Sequence, residues 1–298
     1  MLITKIGEFG LIERFRKQIK TDTTVIKGSG DDCAVLKFNK DKYLLFTCDM
    51  LVEGVDFRPN EKPYLIGRKS VAVSISDIAA CAGMPYYCLV SLGLPKKTSI
   101  DFADKLFKGM LDIAKKFKIN IVGGDLSRAG KLVIDVSMLG IVEKKYLVLR
   151  NGAKVGDIIF VTGSLGGSIQ GKHLKFTPRL KEARYLVKIF KVNSMIDISD
   201  GLAQDLGHIL EQSKVGAIIY EDLIPRDKKA RNLKEALYMG EDFELLFTLS
   251  PQEARKIYRR RLINFKPIGK IVDREYGFSM ISKKGREEVI IRKGYRHF

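Results

Sequence analysis

The sequence predicts an α+β fold in two halves, 1–142 and 143–298. At 298 residues it is longer than one ordinary domain. Both halves mix strand-like runs with helical periodicities. Between them, LRNGAKVG at 149–156 packs polar residues and glycines between apolar runs, and the cut is placed just before this loop.

The elements follow in order. An amphipathic segment near 6–19 opens the chain. Strands are expected around 42–48 and at 86–94, the second rich in aromatic and β-branched residues. Thr98-Ser-Ile-Asp101 has capping-box character, and Phe102, Leu106, Met110, Ile113 and Phe117 recur on one helical face behind it. Strands near 119–122 and 132–142 complete the first half. The second half restarts with a strand at 157–161 and alternates helices with strands at 217–220, 243–249 and 288–291. Ser250-Pro251 marks a helix start, with Ser as N-cap and Pro at the first helical position.

With 45% hydrophobic and 30% charged residues, the composition suits a globular protein with a full core. Cysteines at 33, 48, 81 and 88 form no C-x-x-C pair and have no histidine at zinc-like spacing, so neither a disulfide framework nor a structural zinc is signalled. A reducing, cytoplasmic setting fits. No run is long and apolar enough for a membrane helix, and the first residues lack the apolar core of a signal peptide. Lys and Arg total 53 against 35 Asp and Glu, a formal charge of +18. Nucleic acid, anionic substrates and a lysine-rich background all stand open as explanations. The basic residues are scattered rather than interleaved with aromatics, which argues against nucleic acid.

Against this basic background, short apolar segments run directly into carboxylates beside Gly or Ser: GSGDDCAVL at 28–36, LLFTCDMLVEG at 44–54, VSISDIAA at 73–80, IVGGDLS at 121–127, MIDISDGLAQD at 195–205 and GEDFELLF at 240–247. A carboxylate in apolar surroundings is costly unless paired, hydrogen-bonded or bound to metal. Magnesium takes hard oxygen ligands, usually one or two carboxylates per ion, with water and phosphate completing the shell. Asp31, Asp32, Asp49, Asp77, Asp125, Asp197 and Asp200 could supply several ions. Each alone could equally be an N-cap or turn residue, as Asp200-Gly201 before LAQDL illustrates. The coincidence of so many islands is the argument.

Other motifs are weaker. Gly166 to His173, GGSIQGKH, nearly spells a phosphate-binding loop but has His where a hydroxyl should meet magnesium, so it reads as glycine-rich entrance to a structural helix. His173, His208 and His297 are too dispersed for a triad. Arg150 could neutralise phosphate or be solvated. Tyr295 is either a docking or a binding-site aromatic.

Read together, GEFGLI at 7–12, GDDCAV at 30–35, TCDMLVEGVDF at 47–57, SISDIAACAGMP at 74–85, GGD at 123–125, DISDGL at 197–202, GEDFELLF at 240–247 and GYRHF at 294–298 resemble the thiamine-monophosphate kinase family of the aminoimidazole ribonucleotide synthetase-like superfamily. The resemblance runs end to end. It implies an N-terminal α+β domain contributing strands to a dimeric β-barrel, a C-terminal α+β domain covering the nucleotide, and a homodimer. It also implies magnesium-dependent transfer of the ATP γ-phosphoryl group to thiamine phosphate. Carried over by position, Asp32, Thr47, Cys48, Asp49, Asp77, Asp125, Asp197 and Asp200 would organise magnesium, with Asp49, Asp77 and Asp200 central to catalysis. Gly124, Arg150, Ser199 and Phe107 would meet ATP, and Asp56, Glu241 and Tyr295 thiamine phosphate.

The chain departs from the family at several of these positions. Cys48 stands for a second Thr, leaving only a backbone carbonyl there. Asp56 stands for a frequent His, Phe107 for a hydroxyl-bearing aromatic and Tyr295 for a common Trp. The rival readings are another ATP-dependent synthetase of the superfamily, of the aminoimidazole ribonucleotide or selenophosphate type, and a non-catalytic metal or nucleotide binder. The chain lacks the N-terminal Cys/Lys pair of selenophosphate synthetases.

Overall fold

The computed structural model describes residues 2–259 and 265–295, without the side chain of Tyr258. The last three residues of GYRHF, including His297, lie outside the described residues.

The first half contains α1 (Gly7–Arg16), β1 (Val25–Lys27), β2 (Ala34–Lys37), β3 (Lys42–Val52), α2 (Pro63–Ala80), β4 (Met84–Leu94), α3 (Ile100–Phe117), β5 (Asn120–Arg128) and β6 (Val133–Glu143). The strands form one sheet in the order β1-β2-β3-β6-β4-β5. It is antiparallel except for the β4–β5 pair.

α2 had no counterpart in the sequence expectations. It is buried on nearly every side, so it shows no apolar stripe from which a helical period could be read. α3 does show one, with Leu106, Met110 and Ile113 facing inward. Its N-cap is Ser99, whose Oγ accepts from Phe102 N at 3.2 Å, one residue later than the expected box. The two helices cross at glycines: a Cβ on Gly67 would lie 1.9 Å from the Leu106 carbonyl oxygen, and one on Gly109 2.0 Å from that of Tyr64.

The second half contains β7 (Ile158–Val161), α4 (Leu180–Ile189), β8 (Val192–Asp197), α5 (Leu202–Ser213), β9 (Gly216–Tyr220), α6 (Leu233–Tyr238), β10 (Leu245–Leu249), α7 (Pro251–Arg259), β11 (Lys266–Val272), β12 (Phe278–Ile281) and β13 (Glu287–Val289). Its sheet runs β13-β12-β9-β11-β7-β10-β8. α5 and α6 share the core on one side of this sheet, α4 and α7 that on the other. The glycine-rich segment corrects its reading: it makes a single 3-10 turn, Ser168–Gln170, and α4 begins only at Leu180.

The C-terminal end of α2 joins the halves. Ala79, Ala80 and Ala82 pack into the same buried cluster as Phe160, Leu186 and Phe247. α2 therefore lies beneath the first sheet with its end in the second half's core, where it can present side chains to acids from both.

Candidate functional site

Strand alternation decides which residues of β3 face α2. Leu45, Thr47 and Leu51 are buried while Phe46, Cys48 and Met50 are exposed. Thr47 Oγ1 donates to Asp77 on α2 at 2.5 Å, and one turn earlier Ser74 Oγ donates to Asp49 at 2.6 Å. Ser76 Oγ donates to Asp197, at the end of β8, at 2.6 Å. Carboxylate oxygens of Asp32, Asp77 and Asp197 lie within 4.8 Å of one another.

The acids repel one another where water is scarce. Burial first, and then the Asp32 charge, raise the Asp197 carboxyl to about 7. Burial raises Asp49 to about 6, and burial with the charges of Asp49, Asp197 and Asp32 holds Asp77 well above the usual carboxylate range. Asp31 sits at about 6, raised by burial and by Asp32. Like charges held this close in a dry place need a cation.

Arg150 meets part of that need. Its Nη2 donates to Asp32 Oδ1 at 2.6 Å and its Nε to the same oxygen at 3.2 Å. The other oxygen, Asp32 Oδ2, is buried with no hydrogen-bond partner among the described residues and belongs to a group that a hard divalent cation suits. A second group, Asp200, Asp205 and His208, also brings ligand atoms within 4.8 Å of one another. Burial lowers His208 to about 4, leaving it neutral near pH 7.

Beside the acids opens a cleft of 250 Å³ lined by Asp49, Asp56, Ser199, Asp200, Glu241 and Tyr295, among others. Beyond the ends of β8 and β10 the two chains stay paired: Phe243 N donates to Ile198 O at 2.8 Å and Glu241 N to Ser199 O at 2.7 Å. Glu241 takes the left-handed backbone conformation, φ 56°, just after Gly240. The C-terminal segment closes one side, with Tyr295 N donating to Asp200 O at 3.0 Å. Lys69, on α2 and 1% exposed, reaches the same cleft. Its Nζ donates to the Asp56 carbonyl at 2.6 Å and to Glu241 Oε1.

Several expected residues stay outside this convergence. The Cys48 thiol turns to the opposite sheet face and meets Asp135 at 3.3 Å, because neighbours on a strand point to opposite sides. Only its carbonyl remains for a metal role. Asp125 and Gly124 lie on β5, an edge strand, where Asp125 is exposed and its carboxylate makes no hydrogen bond or ion pair to the described residues. Gly124 packs tightly: a Cβ there would fall 1.7 Å from the Val90 carbonyl oxygen. Phe107 is 42% exposed on α3 and lines no part of the acid cleft. A larger open hollow of 820 Å³, lined by Ser164, Arg179, Lys181 and Phe265, is reached by none of the acids singled out above.

Sequence reasoning missed Lys69, Asp135 and Asp205. Asp205 sits in the DISDGLAQD island, where its spacing from Gly201 is that of a helix first turn; its Oδ2 accepts from Asp200 N at 3.1 Å and Gly201 N at 3.0 Å. No local signal marks Lys69.

Two mixed α+β layers joined by an acid cleft define the class, and comparison agrees with it. Residues 30–142 match the N-terminal domain, and residues 154–281 the C-terminal domain, of the AIR synthase related proteins. Thiamine-monophosphate kinase of Buchnera aphidicola subsp. Acyrthosiphon pisum is 37% identical over 326 aligned positions, spanning 99% of each chain. That of Bacillus subtilis is 35% identical over 325 positions, covering 98% of this chain and 100% of the relative. Among solved structures, AaThiL complexed with AMPPCP and TMP superposes with a TM-score of 0.87 at 29% identity, over 100% of this chain and 99% of that one. Within the class, the chain belongs to the thiamine-monophosphate kinase family.

Proposed function

We propose that the protein transfers the γ-phosphoryl group of ATP to the phosphate of thiamine phosphate, giving thiamine diphosphate and ADP. The observation that carries this reading is the gathering of Asp32, Asp77 and Asp197 from three distant segments beside a cleft that holds Asp49, Asp56, Glu241 and Tyr295.

Donor and acceptor are both polyanions, so their meeting requires charge neutralisation and alignment. Magnesium fits the donor set, which is carboxylate-rich and includes one buried oxygen without a hydrogen-bond partner among the described residues. Asp32, Asp77 and Asp197 would hold it, with Asp49, Asp200 and the Thr47 hydroxyl beside them. Bound cations would supply the neutralisation of the phosphates. The rest falls to the chain. Arg150 adds a guanidinium next to Asp32 that can turn to phosphate, and Ser199 and Gly124 stay in this reading as nucleotide contacts, with Phe107 at the adenine. Asp125 would join the metal site once nucleotide is present. Asp56 and Glu241 offer carboxylates to the cationic, amine-bearing substrate, and the Tyr295 ring gives it a face worth about 0.5–2 kcal/mol. The acceptor phosphate is largely ionised near neutral pH, its second pKa being about 6, so no dedicated general base is required.

A homodimer belongs to the same reading. The face of the first sheet turned away from α2 exposes Phe46, Met50 and Leu89, an apolar surface that a second copy would cover by completing a barrel. So does the division into domains at 142/143, which falls at the last residue of β6 and is supported by the first sheet ending at Glu143 and the second beginning at Ile158. No helix among the described residues is long and apolar enough to cross a membrane, and a cytoplasmic enzyme is proposed.

The test is to incubate the protein with ATP, thiamine phosphate and magnesium and to separate the products by chromatography. Thiamine diphosphate and ADP in equal amounts are expected. ATP consumed without thiamine diphosphate, or no reaction, would refute the reading.

A further inference from the structure

Lys69 sits where a lysine is costly. Its side chain is 1% exposed, whereas the Glu241 side chain it meets is 24% exposed and lines the cleft. An ammonium taken out of water is tolerated only when charge and hydrogen-bonding capacity are both matched. Here one match comes from each half of the molecule: the Asp56 carbonyl at 2.6 Å from the turn after β3, and Glu241 Oε1 from the segment before β10. The Asp56 carboxylate is fixed separately, accepting from Val52 N at 2.7 Å. Glu241 carries the further cost of a left-handed backbone at φ 56°. Only one of its carboxylate oxygens is engaged by described residues, and the other, Oε2, receives no hydrogen bond from them.

We propose that Lys69 is a positioning residue for the phosphoryl acceptor: it holds one oxygen of Glu241 and the backbone of Asp56 so that the two acidic walls of the cleft stand at the spacing the acceptor's cationic and amine-bearing rings require. The inference rests on thiamine phosphate being the acceptor. Lys69 borders the cleft while only 1% exposed, and its ammonium is occupied by partners within the protein. It therefore acts through Glu241 rather than on phosphate. A lysine serving only to tie the halves together would alter stability and leave acceptor recognition unchanged.

Steady-state kinetics with ATP and thiamine phosphate varied independently test this on wild type, Lys69→Met, Glu241→Gln and the double variant. Lys69→Met is expected to raise KM for thiamine phosphate about tenfold or more, with kcat and KM for ATP within about threefold of wild type. The double variant should be no worse than Glu241→Gln alone, because the lysine works through that carboxylate. Additive losses, an unchanged KM for thiamine phosphate, or a fall in kcat at constant KM would overturn the proposal. Should Lys69→Met fail to fold, Lys69→Gln, which keeps a donor toward the Asp56 carbonyl, takes its place. A KM for thiamine phosphate raised about tenfold with kcat held supports the strap, whereas an unchanged KM there, or in Glu241→Gln, overturns it. Wild-type protein inert toward thiamine phosphate overturns both this inference and the functional reading, whereas active wild type with unaltered variants overturns this inference alone.

Discussion

Ser76 Oγ donates a 2.6 Å hydrogen bond to Asp197 Oδ2, joining a helix of the first half to the last residue of a strand in the second. The bond favours the charged carboxylate in a place where burial and Asp32 oppose it. Ser76→Ala should therefore raise the Asp197 carboxyl further and weaken cation binding. The expected outcome is a magnesium requirement shifted upward about tenfold, with a stability loss of about 1–2 kcal/mol. Magnesium titration of activity and urea unfolding measure the two effects.

How much of this was legible depended on where each residue's partners lie. Asp49, Asp77 and Asp200 each stood beside a small residue in an apolar run, and Asp197 stood between two isoleucines, so their unsuitability as ordinary surface acids could be read locally. The α3 stripe and the Ser250-Pro251 start were readable for the same reason: capping and periodicity act within a few residues. Lys69 was not readable, since Glu241, which gives it meaning, is 172 residues away. α2 hid because burial on nearly all sides erases the amphipathic signal. Asp125 shows the converse. Its GGD setting looks like the other islands, yet β5 continues through it to Arg128 as an exposed edge strand.

Without metal, stability should depend on pH in a direction opposite to that of salt-bridged carboxylates. Asp31 and Asp49 at about 6 and Asp197 at about 7 all lie above the ordinary value of 3.8. Between those limits the folded state binds more protons than the unfolded one, so the stabilisation is complete below about pH 4 and is lost as pH rises through 6 to 7. In chelator, the urea midpoint should fall from pH 5 to pH 8. Saturating magnesium, which needs the same carboxylates deprotonated, should flatten or reverse the trend.

The apolar outer face of the first sheet predicts a concentration-dependent assembly. Met50 is 60% exposed and Leu89 48% exposed on neighbouring parts of that face. Met50→Glu combined with Leu89→Glu should shift the protein to a monomer in light scattering coupled to gel filtration, with helix content retained in circular dichroism. A wild-type monomer at micromolar concentration would remove the dimer from the account.

The crossing of α2 and α3 supports the site from behind. Gly67→Ala would drive a methyl to within 1.9 Å of the Leu106 carbonyl oxygen, backbone that cannot swing aside. A destabilisation of about 1–3 kcal/mol is expected in urea unfolding. Part of the activity should be lost with it, because the same helix presents Lys69, Ser74, Ser76 and Asp77.

Direct measurement of divalent-cation binding tests the central claim, using Mn2+ as a paramagnetic substitute for magnesium and comparing wild type with Asp32→Asn, Asp77→Asn and Asp197→Asn in the presence of a non-hydrolysable ATP analogue. The account predicts bound Mn2+ in the wild type, affinity lowered at least about tenfold in each variant, and phosphoryl transfer lost in parallel. Wild-type affinity and turnover in all three variants would contradict it.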